Sequence, residues 1–343
     1  MIVEEIKEIK EILAIPSKIV ITSHLNPDGD ALGSMLGLYW FLKNEGHDVS
    51  PVSPNDYPEF LQWLPGNDAV IDFARKKKLA TKIIEEAEVI FFLDHNDPKR
   101  GGDMKEVLSL TKAKKIMIDH HPYPQLDVDF AISRTDASST AELIYEFIQD
   151  MDGNKLMNKD IAECLYTGIM TDTGCFSYNS SRKRTFEIAA HLLTFDINKD
   201  EIFRKVYDNF SAQRMRLLGY CLNEKMQVYP EFHTAFISLT IEEQERYNFA
   251  VGDSEGFVNY PLSIKGICFT ALFVERKDKI KISFRSRGAF PSNSFSEKYF
   301  SGGGHLNAAG GESILSLSET IQKFIDLLPQ YAQELNSKSD CLQ

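Results

Sequence analysis

A chain of 343 residues with 43% hydrophobic and 26% charged side chains is too long for one ordinary core and too apolar to stay disordered, so two folded domains are expected. The 50 acidic and 38 basic residues leave a net charge of −12, which argues against a broad basic surface for long nucleic acid; any polyanionic substrate should be short and locally held. The five cysteines are scattered and include no C-x-x-C pair, so they are read as reduced, and a cysteine zinc site is excluded.

The first 18 residues, MIVEEIKEIKEILAIPSK, are amphipathic and acidic and lack the basic start and apolar run of a secretory signal. No apolar stretch is long enough to span a bilayer, so a cytoplasmic protein without membrane association is expected. Ile19-Val20-Ile21, Val89 to Leu93 and Ile116-Met117-Ile118 are short, continuous apolar runs, the pattern of strands buried on both faces of a parallel sheet. Helical patterns lie between them, including one from Ala31 to Asn44 that stops at Gly46. Alternating strands and helices predict an open α/β sheet, with ligands gathered beyond the carboxyl ends of its strands. Chemically capable residues stand there: His24 with Asp28 and Asp30, then Asp94, then Asp119-His120-His121.

Further helices are predicted over 139–150 and 159–170, the second running into Thr171-Asp172-Thr173-Gly174. Beyond about Thr185 the chain is charged and helical through Lys225, as expected of a bridge between domains. From Phe232 onward, strand patterns such as Thr234 to Leu239 and the alternating Lys279 to Phe284 predict a smaller α/β domain. That domain carries the glycine-rich loops Ser301-Gly302-Gly303-Gly304-His305 and Ala308-Ala309-Gly310-Gly311. The expected division is a catalytic domain over 1–195, a helical linker over 196–227, and a substrate-binding domain over 228–335, with the active site in the cleft between the domains. Asn336 to Gln343 is read as a frayed tail.

Asp28 and Asp30, at alternate positions of an extended loop, can aim to one side, with the His24 imidazole added at the strand end. Oxygen donors mixed with imidazole suit manganese, magnesium, iron or zinc, and an octahedral preference favours manganese. Taken alone, Pro27-Asp28-Gly29-Asp30 is equally a solvated turn capped by Asp30. Asp94, however, ends the most apolar strand of the chain, where only a positive partner would stabilise a carboxylate. Asp172 closes a helix and alone would read as an ordinary terminal carboxylate. The adjacent His120 and His121 cannot both enter one apolar layer, so one is available for metal and the other for substrate or solvent. His24, His95, His120, His121 and His305 all fall in these motifs, while His47, His191 and His233 are read as ordinary.

Taken in order, HLNPDGDALGS, Leu93-Asp94, Asp119-His120-His121, Gly168 to Gly174, and Gly302 to His305 with Ala308-Ala309-Gly310 resemble the five motifs of the DHH phosphoesterase superfamily. The resemblance spans nearly the whole chain and extends to the DHH-associated C-terminal domain and the NrnA-like branch of nanoRNases. It implies that His24, Asp28 and Asp94 hold one divalent ion, and that Asp30, Asp94, His120 and Asp172 hold a second, with Asp94 shared. It also implies that His121 faces the scissile phosphate, that Asp119 orients the histidine pair, and that Gly303, Gly304 and His305 grip the far end of the substrate. Arg285 is a candidate phosphate clamp. Manganese is the favoured ion, with magnesium or cobalt as substitutes. His95 stands where many relatives have a small hydroxyl residue, which leaves its role, and that of Arg100, open.

The implied activity is hydrolysis of short oligoribonucleotides to mononucleotides and of 3′-phosphoadenosine 5′-phosphate to AMP, with no action on long strands. A homodimer is the default assembly. Two alternatives stand beside it: a soluble phosphodiesterase for linear or cyclic dinucleotides, and a non-catalytic nucleotide-binding module. Loss of a metal ligand would favour the module, and none is missing.

Overall fold

The computed structural model describes residues 3–250 and 252–336. The part of the expected frayed tail from residue 337 onward, with Cys341, lies outside the described residues. The contacts divide the chain into two compact units, Met1–Asn209 and Phe210–Gln343. The segment expected to link the domains is shared between them.

The first unit runs α1 (Val3–Leu13), β1 (Lys18–Thr22), α2 (Gly29–Asn44), β2 (Asp48–Ser53), β3 (Ile71–Asp72), α3 (Lys77–Glu85), β4 (Val89–Leu93), α4 (Lys105–Leu110), β5 (Lys114–Asp119) and β6 (Phe130–Ser133). It continues with α5 (Thr140–Asp150), α6 (Lys159–Asp172), α7 (Lys183–Leu192) and α8 (Lys199–Tyr207). Its six strands lie in the order β3-β2-β1-β4-β5-β6, and every neighbouring pair is parallel.

The continuous apolar runs follow from this arrangement. Ile19 and Ile21 of β1, Phe91 of β4, and Ile116 and Ile118 of β5 enter one core with α1, α2, α5 and α6. The alternate residues Val20, Ile90, Phe92 and Met117 enter a second core under α3 and α4. With helices on both faces, no strand position is left for a polar alternation. The chain builds outward from β1 through β2 to β3, then returns to place β4 on the other side of β1. The order therefore reverses between β1 and β4, and the crevice beyond their carboxyl ends is where such sheets bind ligands.

The second unit comprises α9 (Ala212–Tyr220), β7 (Gln227–Tyr229), β8 (Thr234–Leu239), α10 (Ile241–Arg246), α11 (Asn259–Leu262), β9 (Phe269–Glu275), β10 (Ile280–Ser286) and α12 (Ser292–Phe300). It ends with β11 (Gly303–His305), β12 (Ala308–Ser313), α13 (Leu317–Leu327) and α14 (Ala332–Asn336). The strand order is β11-β12-β10-β9-β8-β7, with only β8 and β9 parallel. One face packs Phe236, Phe269, Phe273 and Phe284 against Phe295 and Phe300 of α12 and Phe324 of α13. Capping boxes at Thr240/Glu243 and Ser316/Glu319 start α10 and α13.

The glycine-rich segments, expected as loops, are strands. Gly303 to His305 pairs antiparallel with Ala308 to Gly310, and Leu306 and Asn307 join them. Their glycines let α12 approach the sheet closely: a Cβ on Gly302 would lie 2.1 Å from Ser296 Oγ, and one on Gly311 would lie 2.7 Å from the same atom. No helix among the described residues is long and apolar enough to cross a membrane.

Candidate metal centre

Six metal-ligand candidates converge at the carboxyl edge of the first sheet. His24 follows β1, and its Nδ1 donates to the Leu25 carbonyl oxygen at 2.8 Å, leaving Nε2 as the ring's other ligand atom. That Nε2 is buried and makes no hydrogen bond, yet faces Asp94 Oδ2 at 3.2 Å and Asp28 Oδ2 at 3.9 Å. An imidazole nitrogen facing two carboxylate oxygens is an arrangement that a proton or a metal cation would satisfy.

Asp28 is the N-cap of α2: its Oδ1 accepts the Asp30 and Ala31 amides, leaving Oδ2 to face His24. Second in the helix, Asp30 is buried and accepts the Thr140 amide at 2.7 Å and the Ala141 amide at 2.8 Å, both from the N-terminus of α5. Asp94, with φ +54°, sits in a left-handed conformation immediately after β4. Its Oδ1 accepts Thr140 Oγ1 at 3.1 Å and lies 3.2 Å from His121 Nδ1 and 3.6 Å from His120 Nε2. Asp172, the last residue of α6, places Oδ2 3.4 Å from His120 Nε2.

Two separate ligand sets result. His24, Asp28 and Asp94 form one, and Asp30, His120 and Asp172 form the other, each with donor atoms within 4.8 Å of one another. A third group joins Asp94, Asp119 and His121. Asp119 Oδ1 accepts both the backbone amide and Nδ1 of His121, while Asp119 Oδ2 is buried without a partner.

The charges are out of balance. Burial drives the Asp30 carboxyl well above its ordinary range, with Asp94, Asp172 and Asp28 adding repulsion. Burial also lifts Asp172 to about 6, against the pull of His120 and with Asp28 and Asp94 adding to the rise. For Asp94, burial is outweighed by the nearby His121 charge, which holds the carboxyl well below its usual value. Five carboxylates, those of Asp28, Asp30, Asp94, Asp119 and Asp172, share this crevice, and histidines are their main counterweight. Divalent cations would relieve that imbalance, and an oxygen–imidazole donor set without sulfur suits manganese or magnesium.

Comparison with known proteins fits this geometry. The profile of the DHH family, N-terminal domain, matches residues 18–169, and that of the DHHA1 domain matches residues 233–334. A Streptococcus mutans protein named as a probable bifunctional oligoribonuclease and PAP phosphatase NrnA is 30% identical, over 88% of this chain and 91% of its own length. The chain belongs to the DHH family. The Bacillus subtilis bifunctional oligoribonuclease and PAP phosphatase NrnA is 27% identical over 93% of this chain and 96% of its own. The crystal structure of an exopolyphosphatase-related protein from Bacteroides fragilis superposes with a TM-score of 0.93 at 44% identity, covering 97% of each chain.

Within this DHH chain, three of the four residues expected in the second domain, Arg285, Gly303 and His305, share one sheet face, whereas Gly304, paired with the core residue Ala309, falls on the other. His305 and Arg285 stand directly opposite Ala308 from its two sides, and Gly303 and Ser283 likewise flank Gly310. Strand alternation puts these six positions on the face away from the phenylalanine core. A Cβ on Gly303 would meet nothing within 4 Å, whereas one on Gly304, at φ +138°, would lie 2.5 Å from the Ala308 carbonyl oxygen.

His95 is buried edge-on against Phe92, its Nε2 3.0 Å from the Asp97 carbonyl, and it joins none of the ligand groups. Burial, helped by the Arg100 charge, lowers it to about 3, so it stays neutral. The Arg100 carbonyl accepts the Leu25 amide at 2.6 Å, which anchors this arginine beside the first motif. The Thr140 hydroxyl and the α5 amides were not anticipated as site residues. The run Ser138-Ser139-Thr140 with Glu142 is an N-capping signal that could have located the helix start, but nothing in it points to Asp30 or Asp94.

Proposed function

We propose that this protein is a two-metal phosphoesterase that cuts short oligoribonucleotides, from dinucleotides to pentanucleotides, into mononucleotides and converts 3′-phosphoadenosine 5′-phosphate to AMP. The observation that carries the reading is the pair of ligand sets, His24–Asp28–Asp94 and Asp30–His120–Asp172, at the reversal point of the sheet. The names borne by the NrnA relatives support the substrate class.

Bound divalent ions, manganese by preference, would acidify water and neutralise charge building on the phosphoryl oxygens. The protein's own groups supply the rest. Asp28, Asp30 and Asp94 are pre-oriented by backbone amides and the Thr140 hydroxyl, so little reorganisation is required when the site loads. His121 is raised to about 10: burial alone would lower it, but Asp94 and Asp119 more than compensate. With Nδ1 held by Asp119, a protonated ring would offer Nε2–H to a non-bridging phosphate oxygen. Arg100 adds a second positive charge near this ring, and its repulsion opposes the rise of His121.

In the second domain, Arg285 and His305 would take the substrate's far phosphate or nucleoside, and Gly303 leaves room for close approach of its backbone. This division between cutting and gripping groups favours short substrates. The test is product analysis with manganese on a labelled RNA dinucleotide, a pentanucleotide, a ~24-mer beyond the reach of one grip, a linear dinucleotide of adenosine and 3′-phosphoadenosine 5′-phosphate. Mononucleotide release from the short RNAs alone, with phosphate release from the last substrate, is expected and should vanish in Asp94→Asn. Intact substrates throughout would refute the reading.

A further inference from the structure

We infer that Glu142, which lies outside every ligand set, is a positioning residue that fixes the orientation of Asp30 and Asp94. The inference rests on the metal-centre reading above.

The first turn of α5 delivers three donors to two different aspartates. The Thr140 and Ala141 amides hold the two oxygens of Asp30, and the Thr140 hydroxyl holds Asp94 Oδ1. Asp30 comes from α2 and Asp94 from the end of β4, so this turn sets one carboxylate relative to the other. A clamp of this kind works only if it is itself immobile.

Glu142 supplies that restraint. Its side chain is completely buried. Oε2 accepts Ser138 Oγ at 2.6 Å, the Ser138 amide at 3.3 Å and Thr185 Oγ1 at 2.7 Å, while Oε1 faces Arg182 Nη1 at 3.4 Å. The turn is thus fastened through Glu142 to α7 and to the residue preceding that helix. Starting α5 does not require this charge, because Ser139 already caps the helix by accepting the Glu142 amide at 3.1 Å. A buried carboxylate is retained against its desolvation only when several donors hold it, and here they tie the clamp to the body of the domain.

The same helix contains a control. One turn later, Glu146 pairs with Arg134 at 2.5 Å and Arg184 at 3.0 Å, and these pairs lead away from residues 138–141. Replacing it removes comparable ion pairs without releasing the clamp.

The experiment is titration of the full-length protein with Mn2+, by calorimetry and by the electron paramagnetic resonance of the bound ion. It compares wild type, Glu142→Gln, Thr185→Val, Thr185→Ser and Glu146→Gln, with near-ultraviolet circular dichroism reporting the fold. Glu142→Gln should bind Mn2+ about tenfold or more weakly with a broadened resonance, as expected when a partner of a metal ligand is lost. Thr185→Val, which removes one hydroxyl without changing shape, should weaken binding in the same direction. Thr185→Ser and Glu146→Gln should match wild type. Unchanged affinity in both Glu142→Gln and Thr185→Val, or an equal loss in Glu146→Gln, would overturn the inference. Should Glu142→Gln fail to fold, Thr185→Val against Thr185→Ser decides. Absence of Mn2+ uptake by wild type would instead overturn the metal-centre reading beneath it.

Discussion

Gly303 and Gly311 lie on adjacent strands and differ in what a side chain would meet. A methyl group on Gly303 finds open space, whereas one on Gly311 runs into Ser296 Oγ at 2.7 Å and the Phe300 carbonyl at 3.0 Å. The fold therefore accounts for the second glycine but not for the first, where the proposed substrate contact would use the open space. Gly311→Ala should lose about 1–3 kcal/mol through overpacking. Gly303→Ala should stay within about 0.5 kcal/mol of wild type but raise KM for an RNA dinucleotide. Urea unfolding and steady-state kinetics on the two variants separate these outcomes. Equal stability losses, or an unchanged KM in Gly303→Ala, would remove the argument for a substrate cradle on this strand.

At the scale of the element, the centre depends on how closely α2 and α6 approach, since α2 carries Asp30 and α6 ends in Asp172. A Cβ on Gly33 would stand 2.5 Å from the Cys164 carbonyl oxygen and 2.8 Å from the Gly168 amide nitrogen, both backbone atoms of α6 that cannot rotate aside. Gly33→Ala should cost about 1–3 kcal/mol and weaken Mn2+ binding as the helices separate. Equilibrium unfolding and metal titration measure the two effects, and intact metal affinity would show that the packing and the site are uncoupled.

Elsewhere in this domain, His47 joins the entry of β2 to that of β1, its Nδ1 accepting the Ser17 amide at 3.2 Å. Burial lowers its pKa below 6.5, against a smaller opposing effect of Glu45. Below pH 6.5 the unfolded chain thus takes up this proton more readily than the folded one, and the contribution of His47, complete above 6.5, is lost as pH falls. The stability difference between wild type and His47→Gln should be constant above that pH and shrink below it in denaturant titrations.

Elements differed in how well they could be read from sequence, for physical reasons. β1, β4 and β5 stood out because both faces of each are buried and their residues are uniformly apolar. β2 was hidden by its polar residues and Pro51, and β6 by its mere four residues. The strands β11 and β12 passed for loops because a glycine run has no side-chain alternation to read. His24, Asp28, Asp30, Asp94, His120 and Asp172 were legible from their places at strand and helix ends, and the structure gathers them into two sets. The Thr140 clamp was not, because its partners Asp30 and Asp94 are remote in sequence and only the folded chain brings them together.

For the molecule as a whole, a net charge of −12 limits how nucleic acid can be held. A dinucleotide gripped at one or two phosphates should show a shallow salt dependence, with log affinity falling by roughly 0.7 per phosphate per decade of salt. Competition by a long single strand should be weak at moderate ionic strength. Inhibition assays over a salt series test this, and strong, steeply salt-dependent inhibition by long RNA would mean that an extended cationic track is in use.

The most direct test of the two-metal account is an anomalous difference map from crystals grown with Mn2+ and collected at the manganese edge. The account predicts two peaks in the first domain, one among His24, Asp28 and Asp94 and the other among Asp30, His120 and Asp172. A single peak, or peaks away from these side chains, would contradict it.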